Sequence, residues 1–226
     1  MRIGVRFRLD PTWHIYWLNP GDSGGPPQMT WGLPPGMMVQ GIEWPAPERI
    51  DIGGLFNYGY HDEVVLSGAL VAAAGTSVPA AITVRASLKW LACADMCVPG
   101  KAELELAFPL GTHERALVPG WKAAIEAARS QVPKPAPSSW RASARSTRDA
   151  FIVDILTGSR EAEATFFPLV VSQVNDSAPQ LVVPLDQGLR ITLRKSDQLV
   201  KDPDTLSGVL SLPGGRAFAI AAPVAR

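Results

Sequence analysis

Residues 81–108 read AITVRASLKWLACADMCVPGKAELELAF, and this stretch carries both cysteines of the chain, Cys93 and Cys97. Ala81 to Leu91 and Ala102 to Phe108 are β-rich runs with period-2 character, so the cysteines fall between two strands. In an extended chain, residues i and i+4 stand ~13 Å apart, whereas a disulfide needs Cα atoms within roughly 4.4 to 6.8 Å. If the two cysteines bond, the chain has to turn there, and the segment ADM followed by Val98-Pro99-Gly100 suits a hairpin tip.

The same alternation recurs along the chain. Strand-like runs cover Trp13 to Leu18, Met37 to Glu43, Glu63 to Val71, Phe151 to Leu156, Leu181 to Leu185, Leu189 to Leu193, Val209 to Leu212 and Ala217 to Ala221. Turn clusters such as NPGDSGGPP, LPPG, NDSAPQ and PGG separate them. Twenty-one prolines and 20 glycines in 226 residues break the chain into many short elements. The expected fold class is all-β, with two immunoglobulin-like antiparallel sandwiches. One segment departs from this rhythm. In PGWKAAIEAARSQ, from Pro119, Trp121, Ala124, Ile125 and Ala128 lie at helical spacing, and the prolines of VPKPAPSS follow. The expected organisation is a first domain over 1–112, a helix and Pro-rich linker over 113–138, and a second domain over 139–226.

Composition narrows the function. Twenty-one basic residues balance 21 acidic ones, so no global field attracts nucleic acid or an anionic membrane. With 46% hydrophobic and 19% charged residues the chain is an ordinary folded one. Its longest apolar stretches, such as AFAIAAPVA, fall far short of the ~18 to 20 residues of a membrane-spanning helix. MRIGVRFRLD alternates like a strand and does not read as a signal peptide, so the chain looks like a piece whose first strands are truncated.

Three readings of the cysteine pair stand side by side: an inert staple or buried thiols, half a metal site, or an exchanging redox pair. A bridge across so short a loop constrains the unfolded chain little. Zinc needs four ligands, and His14, His61 and His113 lack ligand-like spacing to the pair, so no metal and no cofactor is expected. A short loop at a tip in a chain without other cysteines favours exchange, although three intervening residues depart from the C-x-x-C of thioredoxin-like helices.

CADMCVPG, preceded by TWHIYWLNPGDSG, EWPAPERI and FNYGYHDEVVL, resembles the N-terminal periplasmic domain of DsbD-type protein-disulfide reductases, in particular the ScsB branch. Residues 1 to about 110 carry this resemblance. The second half, with TFFP, APQ and AFAIAAPV, is similar to the second immunoglobulin-like domain of that branch. The resemblance implies a periplasmic location, in a full-length protein anchored in the inner membrane. It implies electrons accepted from a transmembrane reductase domain and passed to thioredoxin-fold, disulfide isomerase-like partners. It makes Cys97 the residue that forms mixed disulfides and Cys93 the one that resolves them. It also implies an aromatic lid over the cysteines, for which Phe56 and Tyr58 in DIGGLFNYGY are the candidates.

Strand parity in WHIYW places Trp13, Ile15 and Trp17 on a core face and turns His14 and Tyr16 the other way, where Tyr16 lines the active surface. Asp95, between the cysteines, is placed to raise a thiol pKa by like-charge repulsion. The competing function class is a tandem immunoglobulin-like binding or adhesion module with an incidental disulfide.

Overall fold

A computed structural model describes residues 1–76, 79–109 and 120–225. The strands in chain order are β1 (Arg2–Arg8), β2 (His14–Gly21), β3 (Gln28–Gly32), β4 (Met37–Glu43), β5 (Glu48–Ile52), β6 (Leu55–His61), β7 (Glu63–Ala72), β8 (Ala81–Cys93) and β9 (Cys97–Pro109). The helix α1 (Trp121–Ser130) follows, then β10 (Lys134–Pro135), β11 (Arg141–Ser146), β12 (Ala150–Leu156), β13 (Thr165–Pro168), β14 (Leu181–Leu185), β15 (Gly188–Arg194), β16 (Thr205–Leu212) and β17 (Arg216–Ala225). The fold is all-β and immunoglobulin-like. Its described residues contain one helix, which matches the helical spacing of Trp121, Ala124, Ile125 and Ala128.

Two compact units divide the chain. The first holds residues 1–17, 25–45 and 60–132, and the second holds 18–24, 46–59 and 133–226. In the first, β1 pairs antiparallel with β7, and β7 with β4. Alternation along β1 sends Ile3, Val5 and Phe7 inward. Ile3, Leu70, Ile82, Val84 and Phe108 make one core cluster, with Trp31 and Val39 packed on it. The long β8 pairs with β9 along its whole length, with β3 over Arg85–Lys89 and with β2 at His14 and Ile15. Phe7 meets Trp90 edge to face at 5.6 Å. Trp90 lies across the ladder from Gly100, where an added Cβ would stand 2.2 Å from the indole.

In the second unit, β12 pairs with both β11 and β15, while β16 pairs with β13 and β17. β17 also runs parallel to β11 at Ala144 and Arg145, and so links the two sets. Phe151, Val153, Ile155, Leu189, Ile191, Leu206 and Leu210 fill the core between them. Each such side chain contributes roughly 1.5–3 kcal/mol on burial. The Pro-rich stretch after α1 is partly ordered against this unit. Lys134 and Pro135 pair with Phe218 and Ala219, and Trp140 stacks on Phe218 at 4.5 Å.

Segments 18–24 and 46–59 belong to the second unit, so Phe56 and Tyr58 do too. The β5–β6 hairpin that carries them turns at Gly53 and Gly54, both with positive φ, a conformation that glycine adopts without steric cost. His113 and Pro119 lie outside the described residues.

Candidate redox site

The β8–β9 ladder runs without a register shift from Ala81↔Pro109 to Cys93↔Cys97. Both strands extend further than the apolar alternation suggests and stop only at the cysteines. Ala94, Asp95 and Met96 form the tip, where the Ala94 amide donates to the Met96 carbonyl at 3.0 Å. Directly opposed positions bring the Cα atoms to 4.1 Å, and the two sulfurs form a disulfide.

The two halves of this disulfide have different surroundings. Cys93 is 2% exposed, whereas Cys97 is exposed. Its neighbours Met96 and Val98 are also open to solvent, Met96 at 68%.

Beneath the pair lies Tyr16 of β2. Its hydroxyl donates to Cys93 Sγ at 2.9 Å and stands 3.7 Å from Cys97 Sγ. Tyr16 faces the cysteines, on the side of the strand opposite Ile15 and Trp17. His14, Ile15, Tyr16 and Trp17 are all buried, so this first part of β2 is covered on both sides.

His14, which the sequence motifs did not single out as a site residue, joins the same face. It is the register partner of Cys93. Its ring meets Tyr16 at 5.2 Å and His61 at 5.8 Å, both edge to face. The His61 Nδ1–H donates to the Trp13 carbonyl at 3.2 Å. Burial first, and the neighbouring His61 second, hold the His14 imidazole below its ordinary pKa. The available signal was the spacing His14-x-Tyr16, which in a strand puts both on one face.

The other expected site residues separate. Asp95 is exposed on the tip. Phe56 is half-buried in β6, with the Arg49 guanidinium 3.4 Å from its ring centroid. The lid assignment of Tyr58 is corrected, because its side chain is fixed core. It is 0% exposed, donates to Asp176 Oδ1 at 2.8 Å and packs edge to face on Phe167. Burial pushes its phenol well above the usual range. Among the described residues no cluster of three or more potential metal ligands occurs, and no helix is long and apolar enough to cross a membrane.

A disulfide at a hairpin tip, with one cysteine exposed and the other buried beside a hydroxyl donor, gives this immunoglobulin-like fold the chemistry of a thiol–disulfide exchange module. The comparisons with known proteins agree. Residues 1–109, just under half of the 226-residue chain, match the family described as "Thiol:disulfide interchange protein DsbD, N-terminal". The chain shares its fold with the N-terminal periplasmic domain of ScsB from Proteus mirabilis. The TM-score is 0.72 at 17% sequence identity, covering 100% of this chain and 87% of that one. No curated protein matches the sequence.

Proposed function

We propose that the chain is a periplasmic thiol/disulfide relay. It accepts an electron pair from a membrane-embedded reductase domain of the full-length protein and reduces thioredoxin-fold partners through Cys93 and Cys97. The observation that carries this reading is the asymmetry of the pair: Cys97 is exposed, while Cys93 is buried under the Tyr16 hydroxyl. Reduction begins when a donor thiolate attacks Cys97 Sγ and Cys93 leaves as a thiolate. In the forward direction the Cys97 thiolate attacks a partner disulfide, and Cys93 then attacks Cys97 Sγ to release the reduced partner. The Asp95 carboxylate opposes thiolate formation at the tip. The relay domain spans residues 1–112, apart from segments 18–24 and 46–59, which belong to the second compact unit; 113–138 is the connector, and 139–226 is a cysteine-free second domain that serves as a docking or spacing surface.

The test is trapping. Cys93→Ser keeps the exposed thiol and should accumulate a mixed disulfide with a thioredoxin-fold protein, while Cys97→Ser should not. Equal trapping by both variants would reverse or erase the assignment. The unmodified pair should also equilibrate with glutathione. A disulfide that refuses to do so would mark an inert bridge in a binding module.

A further inference from the structure

Breaking the disulfide at Cys97 leaves a negative charge on Cys93, a residue 2% exposed. A buried thiolate is costly unless something compensates it. Tyr16 offers a hydrogen bond but no charge. The groups packed around the site are Tyr16 on the strand of His14, His61 on β6, Cys93 on β8 and Cys97 on β9. His14 is fully buried, and neither ring nitrogen has a hydrogen-bond partner. As the register partner of Cys93, it projects from the same face of the ladder, where directly opposed Cβ atoms stand about 4.5–5.5 Å apart. A buried imidazole with two unsatisfied nitrogens destabilises the fold unless it has another use.

We propose that His14 is the charge-compensating residue of the exchange reaction, holding a proton as imidazolium opposite the Cys93 thiolate while the pair is reduced. This rests on the relay reading above. The step balances as follows. A dithiol donor loses two protons to solvent as its thiols ionise, and one thiolate attacks Cys97 Sγ. The bond between the two sulfurs breaks with its electron pair on Cys93, and His14 takes one proton from solvent. The donor's second thiolate then displaces Cys97 as a thiolate, which takes up the other proton as pH dictates. The donor leaves as a disulfide and the protein has gained two electrons. When the disulfide re-forms, the charge on Cys93 vanishes and His14 returns its proton, so the site alternates between a neutral pair and an ion pair. His14 touches no reacting atom and works as a positioning residue through the field at Cys93, as histidines paired with thiolates do.

Two measurements test this. The chain has three histidines, so imidazole NMR signals of the full chain can be assigned with His61→Gln and His113→Gln. The His14 midpoint is expected to rise by about one pH unit or more when excess dithiothreitol reduces the pair. An unchanged His14 midpoint overturns the proposal; the shift itself is read on the unaltered chain, and the variants serve only to assign the signals.

In a Cys97→Ser background Cys93 is the only thiol. Its thiolate absorbance near 240 nm should titrate about one pH unit or more higher once His14→Phe is added, and coincident titrations would also overturn the proposal. The relay reading fails separately, if the native disulfide does not equilibrate with glutathione. Equilibration without either titration shift leaves the relay standing and removes His14 from it.

Discussion

The hydroxyl of Tyr16 donates to the sulfur of Cys93 at 2.9 Å but stands 3.7 Å from that of Cys97. On the relay reading proposed above, this inequality favours Cys93 as the leaving sulfur. A hydrogen bond to a neutral disulfide sulfur is weak, and the same bond to a thiolate is charge-assisted and stronger. With Cys93 as the leaving sulfur of the proposed relay, Tyr16 would favour the state in which it has departed more than the oxidised ground state, and so lower the barrier for attack at Cys97.

Tyr16→Phe keeps the ring in its buried slot and removes only this donor. Hydrogen bonds to charged groups are worth about 1.5–3 kcal/mol. The rate of reduction by dithiothreitol at fixed pH is expected to fall about tenfold or more. The variant's melting temperature should shift little by comparison. An unchanged reduction rate would assign Tyr16 to packing alone.

The hairpin that presents the cysteines depends on a close approach further down the ladder. Gly100 faces Trp90, and an added Cβ would stand 2.2 Å from Cε2 and 2.5 Å from Cζ2 of the indole. That ring is also held against Phe7. Gly100→Ala is thus an overpacking substitution, expected to cost about 1–3 kcal/mol. Chemical denaturation of the oxidised chain reads the loss. Trp90→Ala with Gly100→Ala should show a loss smaller than the sum of the single changes, because the clash is shared.

Much of this fold was legible from period-2 alternation, and the parts that were not share a physical cause. Met37–Glu43 and Leu181–Leu185 appear with the bounds read from the sequence, because β-branched and long apolar residues mark them. β11, of sequence RASARS, was missed because only the small side chains of Ala142 and Ala144 turn toward the core. β5 and β6 were hidden by the glycines of their turn, which read as a loop. At the site, the hairpin tip and the orientation of Tyr16 were readable from spacing and parity. The burial of His14 was not, since alternation within β2 gives no sign that both of its faces are covered.

A pH dependence resides in the second unit. Burial, with the like charge of Asp22 adding to it, outweighs the Tyr58 hydrogen bond and the Arg49 charge and pushes the Asp176 carboxyl up to about 6 from 3.8. The folded state therefore binds the proton more tightly than the unfolded state does. The stabilisation is fully present below about pH 4 and is lost as pH rises through about 6. Asp176→Asn should remove this dependence, so that the stability of the native chain falls relative to the variant between pH 4 and 6. Denaturation midpoints measured across that range check it, and parallel profiles would contradict it. Tyr58→Phe, which removes the bond that favours the carboxylate, should move the window upward.

Phe56 is the remaining candidate for the aromatic lid that the family resemblance implies, since Tyr58 is fixed in the core. Its ring is half-buried and stacked under Arg49 at 3.4 Å. A cation–π contact at such a site is worth about 0.5–1 kcal/mol, which sets the cost of a swing that breaks it. That corresponds to only a few-fold in population, small enough for an arriving partner to shift. As a screen, Phe56 acts on access and contributes little to stability. Phe56→Ala is then expected to speed alkylation of reduced Cys97 by iodoacetamide while the melting temperature stays nearly unchanged. As a packing residue it acts in the opposite way, and truncating a buried aromatic costs about 3–5 kcal/mol. Both quantities are to be measured on one variant, with the alkylation rate corrected for the unfolded fraction. A large loss of stability without faster alkylation would rule out Phe56 as that lid.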